Sequence, residues 1–122
     1  MKRDMDLVRI ILMALENHPE EVMSDEELDS ALRQLPEMEG KSFALVEHLI
    51  LLEEHKLITA NTVHHYGEGP SIYNIRMTWQ GHDFLADAKN EQVWKKARAL
   101  GDMSLEALRQ VLVKLTVEIL GR

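Results

Sequence analysis

The stretch from Leu57 to Leu85 constrains the fold of this chain more than any other part of its sequence. Two segments within it, Leu57 to Val63 and Ile72 to Met77, are rich in strand-forming residues and partly alternate between apolar and polar side chains. Between them, Gly67 to Ser71 has the composition of a turn. This pattern predicts an antiparallel hairpin that packs against the preceding helix. A helix follows the hairpin directly, with Thr78 as its N-cap.

Two helices are indicated near the start of the chain. Apolar residues recur at helical spacing from Asp4 to Asn17, where a His-Pro pair ends the pattern. Ser24 and Glu27 form a capping box, in which the hydroxyl and the carboxylate can each accept a bond from a backbone N–H group. The second helix then runs to about Leu35, next to a proline.

A third helix is expected after Gly40, with Ser42 as its N-cap. Its buried stripe would consist of Leu45, Val46, Leu49 and Leu52. Three helices followed by a two-stranded hairpin is the order of a winged helix, a frame often used to hold one helix against DNA. The predicted fold class is therefore mainly α with a small β-hairpin: a winged helix-turn-helix over residues 1–88, with a C-terminal helical extension over residues 89–122.

The extension has a helical pattern of its own. Helical spacing continues from Thr78 through Trp94 to Leu100, and Gly101 breaks it. The last helix, capped by Ser104, has a heptad seam made of Leu105, Leu108, Leu112, Leu115 and Ile119. Such a seam should be buried, because soluble monomers avoid contiguous apolar patches of this kind. The two alternatives are a homodimer interface and packing onto the first helix.

Charge is distributed unevenly along the chain. The net charge of the chain is −7. Residues 1–88 carry 7 Lys and Arg against 17 Asp and Glu, so this part is strongly acidic. Residues 89–122 carry 7 Lys and Arg against 4 Asp and Glu, so the extension is basic. An acidic winged helix is poorly suited to bind nucleic acid, since contacts from Lys and Arg to phosphate supply most of the affinity. The amphipathic start of the chain indicates neither a signal peptide nor a membrane span, so we expect a cytoplasmic protein with no membrane partner.

The sequence offers little for catalysis or for metal binding. Cysteine is absent, which excludes thiolate metal sites and cysteine nucleophiles. The six histidines lack the spacing of a chelating set, with His64 and His65 expected on opposite faces of a strand and His48 and His55 seven residues apart on a helix. We therefore expect no catalytic residues, no metal site and no cofactor.

Two further groups have competing interpretations. Trp79 and Phe84 could stack on nucleobases, but their position after the hairpin favours a plug that ties the hairpin to the core. Gly81 between them would then be explained by close packing.

The basic group in the extension consists of Lys89, Lys95, Lys96 and Arg98. These cations could contact phosphates, pair with the acidic part of the same or a second subunit, or form a solvated face.

Three segments resemble a known family. They are the opening Met1-Lys2-Arg3-Asp4-Met5-Asp6-Leu7, the central Thr78-Trp79-Gln80-Gly81-His82-Asp83-Phe84-Leu85, and Val93-Trp94-Lys95-Lys96. Together they resemble the bacterial and phage-encoded domain of unknown function 2513, over nearly the whole chain. The resemblance implies a bacterial or phage origin and no particular activity. A looser similarity links Met77-Thr78-x-x-Gly81-x-x-x-Leu85 to small bacterial winged-helix regulators, which is an analogy of fold only.

Two functions from different classes follow. The first is a transcriptional regulator that binds double-stranded DNA as a dimer through the last helix. Its DNA-binding residues would be Lys41, Ser42 and His48 at the third helix and His64, His65 and Arg76 on the hairpin. The second is a winged helix used as a protein-interaction module, with an acidic surface that engages a basic partner protein. The predicted winged-helix fold favours the DNA-binding function, and the acidic charge of residues 1–88 favours the protein-interaction function.

Overall fold

The hairpin predicted from the sequence is present. The computed structural model describes residues 2–121, in which β1 (Ile58–Val63) and β2 (Ser71–Met77) pair antiparallel. Met23 forms an additional short antiparallel bridge with Ile75 of β2. β1 packs against the third helix, while β2 contacts the first two helices. The predicted pairing of the strands is therefore confirmed, and the predicted packing on the third helix is confirmed for β1, whereas β2 packs on the first two helices.

Six α-helices accompany the hairpin within residues 2–121. They are α1 (Met5–Asn17), α2 (Asp25–Arg33), α3 (Leu45–Glu54), α4 (Trp79–Ala88), α5 (Glu91–Ala99) and α6 (Leu105–Leu120). A short 3-10 turn, Pro36–Met38, lies between α2 and α3. The fold is thus mainly α with a small β-hairpin, as the sequence predicts.

Local capping fixes where several helices begin. The capping box is formed as expected: the Ser24 hydroxyl accepts from the Glu27 backbone N–H, and the Glu27 carboxylate accepts from the Ser24 backbone N–H, both at 3.1 Å. The Thr78 hydroxyl accepts from the backbone N–H of Gly81 at 3.0 Å and starts α4. Each of these bonds spans three residues, so the sequence alone is sufficient to predict it.

Two helix boundaries differ from the prediction. Ser42 is exposed and lies outside α3, whose N-cap is Ala44 with no side-chain hydrogen bond. The predicted Ser42 cap is therefore wrong. The helix expected to run to Leu100 is divided, because the side chain of Asn90 accepts from the backbone N–H of Val93 and begins α5 as a separate helix.

The seam of α6 is buried within the chain itself. α6 packs on α4 and α5, and four of its seam residues belong to the hydrophobic core that all six helices share. These four are Leu105, Leu108, Leu112 and Leu115. Ile119 is partly buried against the same core. The seam assigned to a homodimer interface is thus occupied by the chain's own α4 and α5, which leaves these four leucines unavailable to a second copy.

Polar contacts join the extension to the first helix. Arg9 donates from Nε to the Ala88 carbonyl at 2.7 Å and from Nη2 to the Lys89 carbonyl at 3.0 Å. The indole N–H of Trp94 donates to the Asp6 carboxylate at 2.8 Å. The end of α4 and α5 are therefore bonded to α1, and α5 and α6 pack on α4 instead of projecting from residues 1–88.

The basic group of the extension is partly neutralised by α1. Lys89 pairs with Glu16, and Arg98 lies 3.6 Å from the Asp6 carboxylate. Lys95 and Lys96 are exposed. Pairing with the acidic N-terminal part of the same subunit, one of the three interpretations of this group, is thus confirmed for two of its four members.

Replacement of Arg9 by Met is expected to destabilise the fold. The substitution removes both bonds to the carbonyls at the end of α4, together with the contact of the guanidinium with Trp94, 5.6 Å from the ring centroid. We expect the free energy of unfolding to fall by about 1–2 kcal/mol. Urea denaturation followed by circular dichroism measures this loss. The matched control is Arg3→Met at an exposed position, where a loss as large as that of Arg9→Met would contradict the assignment.

Candidate functional site

The outer face of α3 is the candidate functional site that the fold presents. Leu45, Leu49 and Leu52 face the core, and the opposite side of the helix is exposed. The exposed residues of α3 are Glu47, Ile50, Glu53 and Glu54. In the order of elements found here, this face occupies the place of a recognition helix. It presents three carboxylates and one apolar side chain.

The structure separates the residues that the sequence assigns to DNA binding. Lys41 and Ser42 are exposed in the loop before α3. His64 and His65 are exposed in the loop that joins the strands, because β1 already ends at Val63. His65 is 2.9 Å from the hydroxyl of Ser71, a contact within the hairpin.

Arg76, also assigned to DNA binding, is engaged in an ion pair. Its guanidinium lies 3.0 Å from the carboxylate of Glu21, and both side chains are at least half exposed. A phosphate group would have to compete with this carboxylate. An exposed ion pair of this kind contributes little to stability, so the Arg76 and Glu21 side chains can separate and each be solvated by water.

His48 belongs to the core and cannot contact DNA. Its side chain is 1% exposed. Nε2 accepts from the backbone N–H of Asp4 at 2.9 Å, and Nδ1 lies 2.7 Å from the Ala44 carbonyl. Because Nε2 accepts, Nδ1 carries the proton and donates to Ala44, which requires the neutral ring. His48 therefore joins α3 to the start of α1, and its place among the DNA-binding residues is corrected.

A groove of about 1020 Å³ opens where α3 begins, between α2 and the start of the chain. Its lining includes Lys2 and five carboxylates. The carboxylates are Asp4, Asp25, Glu26, Asp29 and Glu47. Asp4 and Asp25 accept bonds from the backbone N–H groups of Leu7 and Ile72. Glu26 and Glu47 have no ion-pair partner within residues 2–121.

Arg33 is fixed at the edge of this groove. Its Nε donates to the carboxylate of Asp29 at 2.7 Å, and its guanidinium lies 5.0 Å from the ring centroid of Phe43. The hydrogen bond to Asp29, followed by the attraction of the two charges, raises the pKa of Arg33 above its ordinary value. One cation of the region is thus already paired with a carboxylate of the groove.

α3 is the acidic element of this surface, with three Glu and no Lys or Arg between Leu45 and Glu54. Over α3 and the hairpin together, from Leu45 to Met77, the sequence contains one Lys, one Arg and four Glu. The lysine, Lys56, is exposed at the turn after α3. With His48 buried and Arg76 paired, the surface that would face DNA has few donors for phosphate.

Trp79 is the residue that the sequence interpretation misplaced. It is 85% exposed, whereas Phe84 is buried, so of these two aromatic residues only Phe84 packs in the core. The helical angle gives a signal that could have separated them, because positions five apart differ by about 140° around an α-helix. Two residues at that spacing cannot both face the same core.

Gly81 has the close packing expected for it. A Cβ atom at this position would lie 2.1 Å from the backbone oxygen of Leu57 and 2.9 Å from Cγ of Met77. The start of α4 therefore rests directly on the turn between α3 and β1.

No three His, Asp or Glu side chains within residues 2–121 converge as a metal site requires. Over the same residues, none of the helices combines the length and the apolar character needed to cross a membrane.

Comparison with known proteins gives a family without an assigned activity. Residues 2–104 match the family described as "Hypothetical protein (DUF2513)". An "Uncharacterized protein" of Haemophilus influenzae (strain Rd) is 32% identical over 127 residues, covering 99% of this chain and the whole of the relative. No solved structure matches the chain. These similarities support a shared family and no particular activity.

Proposed function

The chain belongs to the DUF2513 family of hypothetical proteins, and we propose that it is a protein-interaction module built on a winged-helix frame. In this proposal the outer face of α3 and the acidic groove at its start bind a basic segment of a partner protein. The role is one of binding, without catalysis. The observation that carries the proposal is the composition of α3, which contains three Glu and no Lys or Arg from Leu45 to Glu54.

The charge of this surface favours a basic protein segment over a duplex. A DNA-binding protein gains affinity by replacing the counterions of DNA with Lys and Arg, and here the carboxylates would repel the phosphates. A segment rich in Lys and Arg gains from the same carboxylates, which also speed its association. Ile50, which is 38% exposed among Glu47, Glu53 and Glu54, supplies an apolar contact at the centre of the face.

Double-stranded DNA is the second candidate partner. The order of elements favours it, since three helices and a hairpin are the frame of many DNA-binding proteins. Lys41 and Ser42 at the start of α3, with His64, His65 and Arg76 on the hairpin, would be its contacts. The two candidates predict opposite effects when carboxylates of α3 are replaced by lysines.

The deciding experiment combines partner recovery with charge reversal on α3. A tagged chain is used to recover partners from bacterial lysate treated with nuclease. We expect the wild type to retain protein partners, and Glu47→Lys with Glu54→Lys to lose at least about 90% of them, because the change replaces attraction by repulsion. The matched control is Glu20→Lys with Glu91→Lys, the same charge change at exposed positions away from α3, which should retain them.

Duplex DNA provides the opposing measurement. A mixed pool of labelled duplexes is titrated in about 50 mM salt, where even non-specific DNA binding proteins bind with dissociation constants below about 100 µM. We expect no saturable binding by the wild type. Saturable binding that falls with salt, or partner recovery that is lost on nuclease treatment, would make DNA the partner and overturn the proposal.

A further inference from the structure

His48 is a buried titratable side chain that takes no part in the proposed partner surface on α3. Both of its ring nitrogens are engaged with backbone groups. Nε2 accepts from the Asp4 N–H at 2.9 Å, and the Nδ1 N–H donates to the Ala44 carbonyl at 2.7 Å. The fold therefore uses this ring in its neutral form.

Protonation of the ring removes the acceptor for Asp4. A histidinium carries an N–H group on both nitrogens, so Nε2–H would face the Asp4 N–H across the distance at which the two residues now bond. Two donors cannot share that contact. The bond to Ala44 survives, because Nδ1 donates in both forms of the ring. Protonation thus breaks the one bond of His48 that joins α3 to the segment before α1.

Asp4 connects that segment to the rest of the chain. Its carboxylate accepts from the Leu7 backbone N–H at 3.2 Å, which is a bond within the first turn of α1. Lys2 and Arg3 are exposed, and neither belongs to an ion pair within residues 2–121. Loss of the bond to His48 would therefore free residues 2–4 from α3, whereas α1 itself stays anchored by its buried apolar side chains.

The charged groups around His48 are mostly carboxylates. His48 is among the residues that line the groove at the start of α3, together with one cation, Lys2. α1 contributes the apolar Leu7 to this lining, and β1, which also packs on α3, contains no titratable residue. A protonated ring that turns towards the groove would lie among carboxylates, which attract a cation. These are Asp4 before α1, Asp25, Glu26 and Asp29 at α2, and Glu47 on α3.

We propose that the Asp4–His48 contact is an acid-sensitive latch between the start of the chain and α3. With the ring neutral, the bond holds residues 2–4 against α3. With the ring protonated, this segment leaves α3 and the ring turns towards the groove. The closed latch requires the neutral ring, whereas the open latch leaves Nε2 free to bind a proton. The latch is therefore closed above the pH at which a free imidazole titrates, about 6.5, and opens as the pH falls below it.

Opening of the latch would also change the acidic groove. It adds a positive charge among the five carboxylates of the lining. A basic segment bound there would be repelled by the histidinium, so its affinity should fall at acidic pH. This consequence rests on the proposed function, whereas the latch is a property of the free chain and needs no partner.

The test follows the free, full-length chain by NMR from about pH 7.5 to about pH 5.5. The ring signals of His48 report its protonation, and the Asp4 amide reports the bond. We expect the Asp4 amide signal to move in step with the titration of His48. Its protection against hydrogen exchange, corrected for the intrinsic effect of pH, should fall at least about tenfold over this range, because one proton opens the latch. The amide of Leu12, which is fully buried in α1, should keep its protection.

Two variants make the test specific to His48. His48→Gln keeps an acceptor and has no titrating group, so its Asp4 amide should stay protected over the whole range. His82→Gln removes an exposed histidine of α4 and should keep the wild-type response.

The wild-type measurement decides the matter even if His48→Gln does not fold. A His48 ring that stays neutral throughout, or an Asp4 amide that stays protected while the ring gains its proton, would overturn the proposal. So would a simultaneous loss of protection at Asp4 and Leu12, because that result means general unfolding. Since the measurement contains no partner, its failure is distinct from failure of the partner recovery described above.

Discussion

Replacement of Gly81 by Ala is expected to destabilise the protein strongly, although it adds only a single methyl group. The added Cβ would lie 2.1 Å from the backbone oxygen of Leu57, and that oxygen already accepts from the Thr78 backbone N–H at 3.0 Å. Backbone cannot be displaced as easily as a flexible side chain, so α4 would have to move away from the turn after α3. We expect a loss of roughly 3–5 kcal/mol in the free energy of unfolding, a large fraction of the stability of a small domain.

Urea and thermal denaturation of the Gly81→Ala variant measure this loss. The matched control is Gly69→Ala in the hairpin loop, where an added Cβ would have no atom within 4 Å. Its stability should stay within about 0.5 kcal/mol of the wild type or rise slightly, since alanine restricts the unfolded chain. Equal midpoints for Gly81→Ala and the wild type would show that α4 does not pack on Leu57 as described.

The second large effect is expected for His48→Leu. Leucine fills most of the buried space but leaves the Asp4 backbone N–H without the bond it makes at 2.9 Å, whereas the Ala44 carbonyl loses the ring N–H and keeps the His48 backbone N–H at 3.1 Å. Loss of a bond to a buried polar group costs about 1–3 kcal/mol, so we expect the free energy of unfolding to fall by about 1–3 kcal/mol. α1 should also lose protection against hydrogen exchange at its first turn, since Asp4 caps that helix.

Two variants make this prediction specific. His82→Leu changes an exposed histidine of α4 and should alter stability by no more than about 0.5 kcal/mol. His48→Gln keeps an acceptor that can reach the Asp4 backbone N–H, so it should lose less stability than His48→Leu. If His48→Leu is as stable as the wild type, the hydrogen bond from Asp4 to His48 does not hold α3 to the start of α1.

The secondary structure could be predicted where its causes lie close together in the sequence. The capping box of Ser24 and Glu27 and the cap of Thr78 on Gly81 connect residues three apart. The hairpin follows from strand-forming residues on either side of a turn. Residue type alone indicates Ser42 as a cap, and the structure has the cap two residues later, at Ala44.

The candidate site could be predicted only in part, because burial depends on distant residues. His48 has the spacing of an exposed position on α3, but its partner Asp4 lies 44 residues earlier in the chain. The pairing of Arg76 with Glu21 is also a contact between distant segments. The acidic character of α3 could be predicted without the structure, since three Glu and no Lys or Arg can be counted from Leu45 to Glu54.

The amino-acid sequence by itself determined the order of elements from α1 to the start of α4, the caps of α2 and α4, and the acidic charge of α3. These properties depend on neighbouring residues or on composition. Tertiary structure alone decided that the α6 seam packs on α4 and α5, that Trp79 faces solvent while Phe84 faces the core, and that His48 is buried. A helical pattern shows which side of a helix is apolar. Which surface covers that side depends on contacts between segments far apart in the chain, and these form only when the whole core is assembled.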